Sequence, residues 1–152
     1  DHSGETTIVV PDGETTIPAK AFKNNTLVTS IVLPDSLTSI GDYAFEGCSS
    51  LTLFVVPDGV AAIGNGAFYG CSSIASFVVS GYWKWDSVTT IGKSAFYGCS
   101  SITSFVVPDS VTAIGDGAFC DCASLTTVSI PSGVTLGANV FQNSPTTVTT
   151  RD

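Results

Sequence analysis

Methionine is absent from this chain of 152 residues, and His2 is its only histidine. His2 sits at the start of the sequence, where chains fray, so the fold has no imidazole to use as a base or metal ligand. Charge is also scarce: Asp, Glu, Lys and Arg make up 12 % of residues, about half the usual share. Most of that charge has one sign. Thirteen acidic side chains face five basic ones, for a net charge of −8, which repels phosphate backbones and anionic lipid and argues against a nucleic-acid partner. No apolar run approaches the ~20 residues of a membrane helix, so no membrane insertion is expected. No basic-then-apolar leader is present, and the chain opens on Asp1. That opening reads as a processed mature chain or as a piece of something longer.

Chemical signatures are missing as well. There is no P-loop, no Gly-x-Ser-x-Gly and no Cys-x-x-Cys pair, and the many serines have no histidine base. Glu5, Glu14 and Glu46 fall at unrelated repeat positions. The expectation is a protein that is not an enzyme, with no cofactor and no metal. What the chain does have is apolar material, 43 % of residues, which excludes disorder and suits one domain over residues 1–152.

That material recurs. Phenylalanine follows alanine at Phe22, Phe45, Phe68, Phe96 and Phe119, at spacings of 23, 23, 28 and 23, and a degenerate copy adds Phe141 after 22 more. The clearest unit runs from Cys48 through Leu51, Phe54, Val56, Pro57, Val60, Ile63 and Gly64 to Ala67 and Phe68. The β-rich alternation around Phe54–Val56 reads as a short strand, ended by the turn chemistry of Pro57-Asp58-Gly59. Ile63-Gly64 starts a second bend, and the segment through Ala67-Phe68 reads as a single helical or 3₁₀ turn. A unit of this length cannot bury its own apolar side, so about six 23-residue units must stack on a shared core.

The Leu-x-x-Phe-x-Val strand, with Cys or Asn three residues before it, resembles a leucine-rich repeat, and the Val-x-x-Ile-Gly-x-x-Ala-Phe-x-x-Cys-Ser-Ser-Leu continuation resembles the BspA-like subclass. The resemblance covers about residues 8–148. It implies an α/β-type, mostly β, curved right-handed solenoid, with short parallel strands on the concave face and short helical turns on the convex side. It also implies a non-catalytic recognition or adhesion module, extracellular or at a cell surface, with another non-cytosolic compartment as the alternative. The family shares no catalytic residues, so none carries over.

Alternation along the strand points Leu51, Phe54 and Val56 inward and leaves Leu53 and Val55 outward. Across the repeats this builds an outward row of Val9, Val32, Val55, Val78, Val106 and Ser129 beside a row of Ser30, Leu53, Ser76, Ser104 and Thr127. An apolar stripe flanked by hydroxyls marks an interaction surface; the competing reading is that β-branched residues simply suit flat parallel strands. One unit carries an insertion, Gly81–Trp85, holding both tryptophans of the chain. Loops on a rigid scaffold commonly carry function, and Trp and Tyr are efficient anchors. Tyr82, Trp83, Lys84 and Trp85, with Leu53, Val55, Val78 and Val106, are therefore the candidate contacts for a protein or glycan partner. A lid folded over the valine row and a grafted, tag-like peptide are the other readings of the insert.

Two further rows have plainer explanations. Asp12, Asp35, Asp58, Asp86 and Asp109 follow proline or take its turn position, which suits turn chemistry better than cation binding. Thr15, Thr38, Thr89, Thr112 and Thr135, broken by Ala61, could form a hydroxyl array. Cys48, Cys71, Cys99 and Cys122 share one position and should stack as small buried hydrophobes, with ladder disulfides as the alternative; Cys120 falls outside the ladder, nearer solvent. Neither end carries a disulfide cap or a long amphipathic helix, and open strand edges invite pairing. The alternative function is therefore a structural subunit docked in a larger assembly, or part of a longer repeat array.

Overall fold

The computed structural model describes residues 7–79 and 87–152. Each repeat forms one coil with two strands: β1 (Thr7–Val9) and β2 (Thr16–Ile17), β3 (Ser30–Val32) and β4 (Ser39–Ile40), β5 (Leu53–Val56) and β6 (Ala62–Ile63). The series continues with β7 (Ser76–Val79) and β8 (Thr90–Ile91), β9 (Ser104–Val106) and β10 (Ala113–Ile114), and β11 (Thr127–Pro131) and β12 (Thr135–Leu136). β13 (Thr147–Arg151) opens one further coil. Every pairing is parallel and joins equivalent repeat positions, such as Val9 with Val32, Phe54 with Phe77 and Val128 with Phe105. The first strands form the sheets β1-β3-β5-β7 and β9-β11-β13, and the two-residue strands form one continuous sheet from β2 to β12. The chain is a parallel β-solenoid of about six turns.

The core is a column of phenylalanines. Rings of Phe22, Phe45, Phe68, Phe96, Phe119 and Phe141 stack within 14° of parallel, with centroids 5.2–5.7 Å apart. Phe54 and Phe105 enter from the first strands and meet the column edge-on, at 4.6 Å from Phe68 and 5.0 Å from Phe119. One ring per coil is what the repeat spacing requires, and offset and edge-on pairs add attraction beyond area burial.

The Ile-Gly step is more than a bend. It closes a two-residue strand, and glycine is needed there because coils approach closely: a Cβ on Gly64 would lie 2.7 Å from the Asp42 nitrogen, and one on Gly115 2.5 Å from the Lys93 nitrogen. Across the 28-residue interval the ladder stays in register, Ile63 facing Ile91. The additional residues are thus accommodated without shifting the second sheet.

The expected helical turns do not form. Among the described residues there is no helix, so the solenoid is all-β rather than α/β. Left-handed residues interrupt each segment at two places, Tyr43 (φ 57°) and Gly47 (φ 73°) in the second coil, with counterparts in the others. Backbone donors alternate between them. The N–H groups of Ala44 and Glu46 close local turns onto Gly41 and Tyr43 at 3.3 and 3.2 Å, while those of Tyr43, Phe45 and Gly47 reach across to the carbonyls of Asn65, Ala67 and Tyr69, each at 2.8 Å. A helix keeps its donors within its own turns; here every second one is spent on the next coil. The side opposite the valine row is therefore a third inter-coil ladder.

Candidate functional site

The first strands place their side chains as alternation predicts. Leu51, Phe54 and Val56 are buried. Val9, Val32, Leu53, Val55 and Val106 stand on the outer surface, between 36 % and 67 % exposed. β-Branched residues form these strands because they fit a pleated surface, and parallel register brings their outward positions into one line. Val78 is the register partner of Val55 in the next strand. Beside the valine line, Thr7 Oγ1 and Ser30 Oγ lie 3.0 Å apart, so the first hydroxyl pair links neighbouring coils. Tyr82, Trp83, Lys84 and Trp85 lie outside the described residues, as does Asp86.

The acidic row forms the rim where the first strands end. Asp12, Asp35, Asp58 and Asp109 are all exposed. At its far end this row meets Arg151, the chain's single arginine, which sequence reasoning overlooked. Its backbone pairs with Pro131 of β11, and its guanidinium spans from Ser129 of β11 to the residues just past β9. There it donates to Asp109 Oδ1 from Nη2 at 2.8 Å and from Nε at 3.2 Å, to Ser129 Oγ from Nη1 at 2.7 Å, and to the Val107 carbonyl. The only hint in the sequence was a lone arginine opposite a chain of acids.

The other rows are occupied internally. Thr38 Oγ1 donates to the Thr15 carbonyl at 3.0 Å, Thr89 Oγ1 to Ala61 at 3.4 Å and Thr112 Oγ1 to Thr89 at 3.3 Å. These hydroxyls tie coils together rather than presenting an array. The four ladder thiols are fully buried. Each donates to the carbonyl of the preceding coil's phenylalanine: Cys48 to Phe22, Cys71 to Phe45, Cys99 to Phe68 and Cys122 to Phe96, at 3.1–3.2 Å. All five cysteines are free. Burial pushes the thiol of Cys48 up to about 11 and that of Cys122 up to about 12, and raises Cys71 and Cys99 as well. They are thiols and not thiolates at neutral pH, hence poor nucleophiles and ligands. Cys120, outside the ladder, keeps 6 % exposure.

On the opposite side, Tyr69 and Tyr97 stack at 4.6 Å and 1°. A hydrogen bond to Asp121 pushes the Tyr97 phenol up to about 12. Asp121 is in turn held below the usual carboxylate range by hydrogen bonds from Asn143, whose Nδ2 lies 2.8 Å away, and from Tyr97. Among the described residues, no three His, Cys, Asp or Glu side chains form a metal-binding group, and no helix is long and apolar enough to cross a membrane.

Residues 15–148 match the BspA type leucine rich repeat region, in six copies. The chain belongs to this family. The T. pallidum leucine rich repeat protein TpLRR has a similar structure, with TM-score 0.79, 31 % identity, and coverage of 93 % of this chain and 77 % of that one. A leucine rich cell surface protein from Faecalibacterium prausnitzii aligns at TM-score 0.57 and 21 % identity over 96 % of this chain, and a leucine-rich repeat protein from Eubacterium ventriosum at 0.74 and 21 % over 93 %. The chain spans 60 % and 44 % of those two proteins respectively. No curated protein matches it.

Proposed function

We propose that this chain is a non-catalytic binding module that recognises a protein or glycan through the outer face of its first strands. Leu53, Val55, Val78 and Val106 form the contact, and Tyr82, Trp83, Lys84 and Trp85, outside the described residues, add to it. The observation that carries this reading is the row of solvent-exposed valines in parallel register. Other large apolar side chains are also exposed, namely Leu27, Tyr43, Leu136 and Val148, but only the valines line up from coil to coil, and such a contiguous stripe marks an interaction site. Membership of a repeat family typical of binding and adhesion modules supports it, and the cell-surface description of the F. prausnitzii protein favours the same location for this chain.

A second reading, a structural unit within a larger assembly or array, is favoured by a shallow apolar depression at the first coil, lined by Ile8, Val10, Ile17 and Phe22 among others. Affinity capture separates the two. The intact chain is compared with one carrying Val9→Thr, Val32→Thr and Val106→Thr and with one lacking Gly81–Trp85. A recognition module loses its partner in at least one of these variants. A structural unit retains it in both and loses it when Ile8 and Val10 are altered.

A further inference from the structure

The valine row and the acidic rim run side by side, and four coils contribute to both, a valine in the first strand and an aspartate just past its end: Val9 with Asp12, Val32 with Asp35, Val55 with Asp58, Val106 with Asp109. Wherever the described row is exposed, an exposed carboxylate follows three residues later. At one end the chain shows what this combination accepts. The Arg151 guanidinium lies across the sheet face, bonded to Asp109, to the Ser129 hydroxyl that continues the valine row, and to the Val107 carbonyl. Arg151 thus occupies one station of a surface whose other stations repeat coil by coil.

We infer that the partner of this face is a basic, partly apolar polypeptide segment, running along the solenoid with cationic side chains at the aspartate rim and apolar ones over the valines. The inference rests on the binding-module reading above and names the chemistry of its ligand. An extended segment suits the face because successive side chains leave it on opposite sides, one set toward each row. Charge complementarity excludes the main competitors. A second copy of this chain, at net −8, would bring the same acids against the rim, and a nucleic acid or anionic membrane would bring phosphates. A neutral glycan can donate hydroxyl hydrogen bonds to the carboxylates but leaves their charge uncompensated. Arginine suits the site better than lysine, because its planar fork can bond a carboxylate and a strand carbonyl together, as Arg151 does.

The test is calorimetric titration of the intact chain with a short peptide of alternating Arg and Val and with its Glu–Val counterpart. The Arg–Val peptide is expected to bind, with affinity falling as salt rises. Asp12→Asn with Asp35→Asn and Asp58→Asn should weaken it roughly tenfold, the sum of three partly screened pairs. The control removes the same charge elsewhere: Asp42→Asn, Asp116→Asn and Asp121→Asn, of which Asp42 and Asp116 serve as acceptors for backbone N–H groups of the next coil, a role Asn65 already fills in the same row. That variant should bind as the intact chain does. Equal loss in both triple variants, equal binding of the Glu–Val peptide, or no binding of either peptide overturns the inference. Loss only with the Val→Thr changes overturns the cationic partner while leaving the sheet-face reading standing.

Discussion

Cys71 donates its thiol hydrogen to the carbonyl of Phe45, one coil back, at 3.1 Å. The same bond recurs in four coils, so the cysteine ladder is a column of buried donors as well as of packed atoms. Replacing Cys99 by Ala removes one of two donors to the Phe68 carbonyl, which keeps the Cys71 N–H at 3.1 Å, and opens a small void. The two effects together should cost about 1–3 kcal/mol. Urea unfolding of C99A checks this, and an unchanged midpoint would show that neither the bond nor the packing of the thiol stabilises the fold.

The buried thiols also make stability depend on alkaline pH. Their folded values are raised, to about 11 at Cys48 and about 12 at Cys122, from 9.0 in the absence of burial. In the unfolded chain the thiols ionise near pH 9, while the folded chain holds their protons. Stability is therefore fully present below pH 9 and is lost progressively as pH rises through 11 and 12. The melting temperature should hold level to pH 9 and then fall. Replacing Cys48 and Cys122 by Val should flatten that decline relative to the intact chain. In the folded state at pH 8, a disulfide reagent should modify Cys120 before any ladder thiol.

Gly64 offers a sharp test of coil spacing. Its Cβ position lies within 2.7 Å of backbone atoms of Gly41 and Asp42, and backbone cannot move aside without parting two neighbouring coils of the second sheet. G64A should destabilise by about 1–3 kcal/mol or more, beyond an alanine substitution at exposed Thr112, which loses only one long inter-coil hydroxyl bond at 3.3 Å. The comparison is read by thermal melting of the two variants, and equal melting temperatures would refute the close approach.

The phenylalanine column and the valine row were both readable in the sequence because each depends on periodicity alone. Phe45 and Phe68 mark coils, and Val55 lies one residue beyond the inward Phe54. The segment through Ala44-Phe45 was misread as helical because its local pattern, short and partly apolar, fits a single turn. The deciding hydrogen bonds, such as Phe45 to Ala67, join residues a whole repeat apart and leave no local trace. The two-residue strands were hidden for the same reason, since Ala62 and Ile63 become a strand only when Ile40 and Ile91 flank them. Arg151 stayed invisible because its partner Asp109 lies 42 positions away.

That same contact predicts how the last strand is held. β13 is exposed along most of its length, and it stands at the edge of its sheet, paired with β11 alone, Thr147 with Thr127 through Arg151 with Pro131. Little apolar burial anchors it beyond these backbone bonds. The Arg151 guanidinium adds a tie that extends beyond β11 to Asp109, just past β9, at 2.8 Å. Both partners are substantially solvated, so R151A should lower global stability by less than about 1 kcal/mol. Its local effect should be larger, because a terminal strand opens separately from the core. Amide exchange at Thr147–Arg151 should accelerate in R151A and, more weakly, in the intact chain at high salt, while exchange at Phe96 and Phe119 stays unchanged. Arg151→Lys should restore only part of the protection, since one ammonium cannot serve Asp109, Ser129 and Val107 together. Uniform exchange in all three forms would show that backbone pairing with β11 alone holds the strand.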